Sequence, residues 1–266
     1  MLILLKILFK NAYHFLKQKN QRVFHWLVLI HGGSKRYTKK QISFLNYKII
    51  VADPLSFLWQ FKEIFADEIY YFESEKKSPL IYDCGSNIGM SCIYFKELFP
   101  KSTIKAFEAD PRIAGLLEDT IKRNNLTNID LTIKAVWTHN NGVEIASDGA
   151  DGASIITGHN KIKIPSTRLY DLIAKEEEID FLKMDIEGAE VEVIKDCSDI
   201  LYKIKNIFIE YHSYNNSVQE LDILLKILTE NKFRYYTLPV NIRQKPFANR
   251  SLDKTMDFQV NIFAYR

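Results

Sequence analysis

Three short strings in this chain carry side chains able to do chemistry. Asp83-Cys84-Gly85-Ser86-Asn87-Ile88-Gly89 follows the apolar Leu80-Ile81-Tyr82. Glu108 closes the run Ala106-Phe107, nineteen residues after Gly89. Asp185, Glu187 and Glu190 follow Phe181-Leu182-Lys183-Met184, and farther on Glu210 and His212 end an apolar run that starts at Asn206. Carboxylates placed just after apolar runs mark the carboxyl ends of strands in an open α/β sheet, the edge where such sheets bind ligands.

The glycine loop has the spacing G-x-x-x-G, not the G-x-G-x-x-G of dinucleotide sites. Gly85 and Gly89 permit a tight turn and close backbone approach, and the following helix presents free N–H groups. The acid Asp83 at its head would repel a pyrophosphate. It suits a cation, such as the amino group and sulfonium of S-adenosylmethionine. Asp83, Gly85, Ser86, Asn87 and Gly89 are therefore expected around the methionine part of that cofactor. Glu108, with Ala109 beside it, stands where a carboxylate grips ribose hydroxyls. Topology alone places Ala135 and Val136 beside an adenine; a core contact fits them as well. Asp110, before Pro111, reads equally as a helix cap.

Asp185 and Glu187 lie close together at the same edge. Burial and mutual repulsion raise the pKa of one such carboxyl and make it a general base. As acids at a helix start they would also favour the helix dipole. His212, at the next strand end, is a third candidate base, and His159 is a weaker one. Asp185, Glu187 and Glu210 are oxygen donors that could hold a divalent metal. Without a clear fourth ligand no metal is expected.

The elements that must position these groups alternate from Leu80 onward, which argues for a mostly parallel sheet. Strands are expected at 80–84, 103–108, 129–134, 179–185, 206–211, 233–238 and 257–265. Helices are expected at 88–98, 111–124, 168–175, from Ala189, and at 217–230. No helix fits between the last two strands, so the last should run antiparallel. Residues 136–168, with their Asn-Gly and Asp-Gly turns, read as inserted hairpins, and the loop 148–154 is flexible enough to close over an acceptor. Upstream, 41–50 reads as a strand and 54–72 as an aromatic-rich helix.

The chain divides into a basic, partly amphipathic extension (1–75) and an α/β body (76–266). Residues 1–52 hold ten Lys/Arg and no Asp or Glu, which leaves 26 basic against 33 acidic residues for the rest. An acidic body argues against nucleic acid lying across it. Residues 1–18 fit an amphipathic helix, so 1–30 are expected either to lie on a membrane surface or to pack on the chain's own domain or a partner subunit. No apolar run reaches the length of a spanning helix. Cys84, Cys92 and Cys197 make an odd set without a CxxC pair, which fits a reducing, cytoplasmic location, with peripheral contact to the inner membrane face. The loop 239–256 carries Arg243, Lys245, Arg250 and Lys254 and could meet an anionic acceptor.

Taken together, Asp83 to Gly89, Phe107-Glu108-Ala109-Asp110-Pro111, Lys183-Met184-Asp185-Ile186-Glu187-Gly188-Ala189-Glu190 and Glu210-Tyr211-His212 resemble the FkbM family of S-adenosylmethionine-dependent methyltransferases. The resemblance covers roughly residues 80–238 and does not extend to 1–75. It implies a class I methyltransferase fold, Rossmann-like, with seven strands in the order 3-2-1-4-5-7-6. It also implies methyl transfer to oxygen, often a sugar hydroxyl of a glycan, glycolipid or natural product. The competing readings are a cofactor-binding scaffold without turnover and a nicotinamide-dependent dehydrogenase. The loop spacing and Asp83 disfavour the dehydrogenase.

Overall fold

A computed structural model describes residues 18–147, 153–154, 161–250 and 255–266. The expected helix over 1–18, His159 and most of the 148–154 loop lie outside the described residues, as does Lys254.

Helix α1 (Lys19–His31) buries Leu27 and leaves Trp26, Leu29 and Ile30 exposed. The expected strand at 41–50 is instead a hairpin, β1 (Lys40–Phe44) and β2 (Tyr47–Val51), because Leu45 turns the chain at φ +49°. Its alternation buries Ile42, Phe44, Ile49 and Val51. Helix α2 (Pro54–Phe61) starts at Asp53, whose carboxylate accepts from Leu55 N at 3.3 Å. It passes into a π-helical turn, Lys62–Ala66, and stops there rather than at 72; Glu68 sits at φ +53°, outside any helix. The side-chain amides of Asn20 and Gln21 donate to Phe65 O (2.9 Å) and Ala66 O (3.0 Å), tying α1 to this turn.

The body follows in order: β3 (Leu80–Cys84), α3 (Met90–Leu98), β4 (Thr103–Phe107), α4 (Pro111–Arg123), β5 (Ile129–Thr132), β6 (Ala135–Trp137), β7 (Val143–Ser147), β8 (Ala153–Ser154), β9 (Lys161–Ile164), β10 (Ser166–Arg168), α5 (Leu169–Ile173), β11 (Ile179–Met184), α6 (Glu190–Asp196), β12 (Ile204–Tyr214), α7 (Leu221–Glu230), β13 (Arg234–Pro239) and β14 (Met256–Tyr265). Seven strands form one sheet in the order β5-β4-β3-β11-β12-β14-β13. All pairs are parallel except those of β14, which runs antiparallel to both neighbours. In sequence order of the seven this is 3-2-1-4-5-7-6.

The inserted segment is not simply hairpins. Its base is a parallel pair, β6 with β10, and the antiparallel β7, β8 and β9 stand on it.

The sheet's period of two sorts the core into two layers. Ile81, Phe181 and Phe208 face α3 and the aromatic cluster of the N-terminal segment, where Phe61 stacks on Phe65 at 5.2 Å between centroids. Tyr82, Leu182 and Ile207 face α6 and α7. The N-terminal segment thus covers one side of the same sheet, and its π-helical turn lies near the sheet's carboxyl edge.

Candidate active site

The glycine loop is shaped by contacts that only bare backbone allows. Gly85 N and Ser86 N both donate to Phe107 O at 2.9 Å, closing the loop over β4. Gly85 sits at φ +81°, and a Cβ there would come within 1.9 Å of Asp185 O. Gly89, at φ +91°, starts α3 and would strike Leu117. The loop is therefore locked against both β4 and the β11 end.

Lys183 fastens it from below. The ammonium is buried at 3 % side-chain exposure and donates to Gly85 O at 2.5 Å and Cys84 O at 3.3 Å. Asp83 Oδ1 is 3.7 Å away and Asp185 Oδ2 3.4 Å. Burial disfavours the charged amine, but Asp185 and Asp83 outweigh it and raise its pKa. Asp83 is wholly buried, with Oδ2 accepting from Ser91 Oγ at 2.5 Å and Cys92 Sγ at 3.4 Å. The sequence places Asp83 at the ligand edge. The structure sets its side chain one layer beneath, as the counter-charge of Lys183. Ser86 is also buried, its hydroxyl donating to Asp83 O at 2.8 Å.

Glu108 stands where expected, just past β4. Its carboxylate accepts from Asn87 N and Asp110 N, each at 2.9 Å, so it straps the glycine loop to the start of α4. Burial raises its pKa to about 7 against the pull of those two amides. Asp110 caps α4 through Arg112 N at 2.8 Å, which settles that residue's alternative. Ala135 and Val136 are buried in β6; Ala109, half-buried, packs with Ala135 in a small apolar cluster, while Val136 joins the main core.

The acidic edge continues at β11 and β12. Glu190, 1 % exposed, accepts from Ile186 N (3.1 Å) and Gly188 N (3.0 Å), holding the turn that follows β11. In that turn Glu187 is forced to φ +56°, a left-handed conformation uncommon for a side chain with a Cβ and one that clusters at functional positions. Glu190 Oε1 also meets His212 Nδ1 at 3.1 Å. On the far side of the ring, Nε2 faces Glu187 Oε2 at 3.6 Å, Glu210 Oε1 at 3.7 Å and Asp185 Oδ1 at 4.0 Å. Burial works against a charge on His212, yet these carboxylates, Glu190 first, raise its pKa well above the ordinary value.

Crowding marks the carboxyls too. Glu187 is raised to about 6, first by burial and then by Asp185 and Glu190, against the pull of His212. Glu210 is raised to about 8 by burial and Asp185. Glu63, on the π-helical turn, is raised to about 7 by burial, with Asp185 adding to it.

Asp185, Glu187, Glu210 and His212 are thus brought together, with Glu108 across the glycine loop. Arg243 and Arg250 donate instead to backbone carbonyls of their own loop. Sequence reasoning missed Lys183, Glu63 and the strap made by Glu190. A charged residue inside the apolar run of β11 was a signal for Lys183. Nothing local marked Glu63.

A seven-stranded sheet of this order, with a glycine loop after its first strand and acids after its second and fourth, defines the Rossmann-like class I methyltransferases. The chain matches the model of the methyltransferase FkbM domain over residues 83–235 and belongs to that family. It is a methyltransferase, and the dehydrogenase reading falls away. It is 25 % identical to methyltransferase sdnD of Sordaria araneosa over 67 % of this chain and 87 % of that one. It is 29 % identical to 2-O-methyltransferase NoeI of Sinorhizobium fredii over 52 % and 65 %. It is 22 % identical to hexuronic acid methyltransferase AglP of Haloferax volcanii over 81 % and 89 %. Among solved structures, it resembles methyltransferase FkbM from Methylobacillus flagellatus at 18 % identity and a TM-score of 0.46, covering 92 % of this chain and 59 % of that one.

Proposed function

We propose that the chain methylates a hydroxyl oxygen of a sugar, free or carried on a glycan, glycolipid or natural product, with S-adenosylmethionine as donor. The names of two relatives, a 2-O-methyltransferase and a hexuronic acid methyltransferase, support the acceptor class. One observation carries the reading of the site: acids ring the glycine loop while Lys183 is buried beneath it.

The residues present fit that donor. Gly85 leaves no room for a side chain where the loop crosses Asp185, so bare backbone faces the ligand there. Glu108 would hold the ribose hydroxyls with the lone pairs its two amides leave free. Gly85, Asn87 and Gly89 would hold the methionine part from the backbone, and Ala135 and Val136 would border the adenine. When bound, S-adenosylmethionine supplies an electrophilic methyl group on a cationic sulfur.

A sugar hydroxyl is a weak acid, so a base must take its proton as the oxygen bonds to carbon. Glu187 suits this better than its neighbours. It is part-exposed, and its pKa of about 6 leaves it ionised yet basic at neutral pH. Asp185 is engaged by Lys183. His212 already holds its proton among carboxylates, and its part is to keep Glu187 in place. Glu63 brings the 1–75 extension to the acceptor side.

Among the described residues no helix is long and apolar enough to cross a membrane. The exposed Trp26, Leu29 and Ile30 of α1 support contact of residues 1–30 with a membrane face or a second chain. The buried, unpaired cysteines suit the cytoplasm.

The test is direct. The purified chain is incubated with methyl-labelled S-adenosylmethionine and a panel of neutral sugars, uronic acids and glycolipids. Label in an ether methyl of one acceptor supports the proposal; label only on nitrogen or carbon acceptors overturns it.

A further inference from the structure

We infer that Asp185, Glu187 and His212 form a binding site for a divalent cation of the Mn2+/Mg2+ class, open on the acceptor side. The inference deepens the proposed function and rests on its assignment of that side.

Sequence reasoning expects no metal because a fourth donor is missing. The fold puts a nitrogen, His212 Nε2, in place of the Glu210 oxygen, and the remaining positions fall to water or the acceptor. One ligand atom from each of Asp185, Glu187 and His212 can be chosen so that all lie within 4.8 Å of one another. His212 Nε2 is 3.6 Å from Glu187 Oε2 and 4.0 Å from Asp185 Oδ1. An ion with bonds of about 2.1 Å holds adjacent ligand atoms about 3 Å apart and opposite ones about 4.2 Å apart. The three ligand atoms stand wider apart than bonded ligands do, and closure of the part-exposed Asp185 and Glu187 side chains around the ion completes the site.

A second observation separates this from an ordinary acidic patch. The His212 side chain is 1 % exposed, and its Nε2 points into the cluster with no hydrogen-bond partner among the described residues. The other ring nitrogen is taken by Glu190, itself 1 % exposed and fixed by the Ile186 and Gly188 amides. A carboxylate on Nδ1–H sets the tautomer that turns a lone pair at Nε2 toward a metal, as in carboxylate–histidine–metal triads. The ion takes the place of the Nε2 proton. Glu210 Oε1 instead accepts from Gln259 Nε2 at 3.4 Å and stays outside the ligand set.

Three protein ligands leave coordination positions for water or for the acceptor hydroxyl. Two oxygens and one nitrogen suit Mn2+ better than a thiolate-seeking metal. A cation there lowers the pKa of a bound hydroxyl. Glu187, ligating through Oε2, keeps Oε1 to accept that proton.

The experiment uses the full chain, stripped with chelator and titrated with Mn2+ alone, with the free aqua ion followed by electron paramagnetic resonance. One saturable site per chain in the micromolar range is expected. Asp185→Asn and Glu187→Gln, both at part-exposed positions, should each weaken it about tenfold or more, and Glu190→Gln about tenfold through the ring it positions. Glu230→Gln, far away on exposed α7, should leave it unchanged. Circular dichroism and donor affinity confirm that each variant is folded. Absence of saturable binding, or binding that survives both Asp185→Asn and Glu187→Gln, overturns the site. Methyl transfer equal with chelator and with Mn2+ sinks the cation while leaving the proposed function standing. Mn2+ bound at this site with no acceptor methylated sinks the function reading alone.

Discussion

Glu190 Oε1 lies 3.1 Å from His212 Nδ1, and both side chains are 1 % exposed. One buried carboxylate thereby does two jobs. It closes the turn that thrusts Glu187 into the site, and it fixes the ring against which three further acids are set. Replacing Glu190 with Gln keeps the shape but removes the charge. A buried cation stripped of its nearest, hydrogen-bonded counter-charge loses about 3 kcal/mol. Urea denaturation of Glu190→Gln should show that loss, and unchanged stability would mean the pair is not ionic.

Glu187→Gln should lower kcat about 100-fold or more, the usual contribution of a general base. Donor affinity, measured by calorimetry, should move little. The wild-type pH–rate profile should show an acidic limb near pH 6, the value of the Glu187 carboxyl, and the variant should lose it. Near-normal turnover in the variant would return the role of base to Asp185.

Glu108 and Asp83 should fail differently. Glu108→Gln should weaken S-adenosylmethionine about tenfold with modest loss of stability, because its carboxylate meets the ligand edge. Asp83→Ala should act first on stability, by about 3 kcal/mol or more, because it strips a buried lysine of a counter-charge. Calorimetry and thermal melting on the two variants would expose the opposite ranking if the layering described above is wrong.

Gly85→Ala places a methyl group 1.9 Å from Asp185 O at φ +81°. Neither backbone can yield without opening the loop, so a loss of about 2 kcal/mol or more is expected, together with donor binding. A variant with wild-type affinity would show that the loop is not held as seen.

Stability should fall as pH rises toward the alkaline side of neutral. Glu210, at about 8 when folded, keeps a proton that the unfolded chain releases near pH 4.5. Between those values the folded state binds more protons, so each step up in pH favours unfolding. The raised His212 acts in the same sense, its contribution being lost as pH passes its folded value. The slope approaches about 1.4 kcal/mol per pH unit for each group at its steepest. Glu210→Gln should flatten the melting temperature between about pH 5 and about pH 8. An unchanged slope would show that Glu210 is not the group responsible.

The sequence alone determined the sheet. Apolar runs of five or six residues, each stopped by an acid or a glycine, set β3, β4 and β11 within a residue of their observed ends, because strand length and burial are written locally. The same runs placed Glu108, Asp185, Glu187 and His212 along one edge. What lies above or beneath that edge was settled only by packing across distant segments. Asp83 drops out of the ligand layer because Lys183, from a strand a hundred residues away, reaches under the loop to meet it. Glu63 enters because an aromatic helix outside the family match tightens into a π-helical turn over the sheet. His212 gains its orientation from Glu190, twenty-two residues earlier, through a contact between two buried groups that no local pattern encodes. Periodicity reports which face of an element is buried, but the partner found there depends on loops and layers that a single sequence does not order.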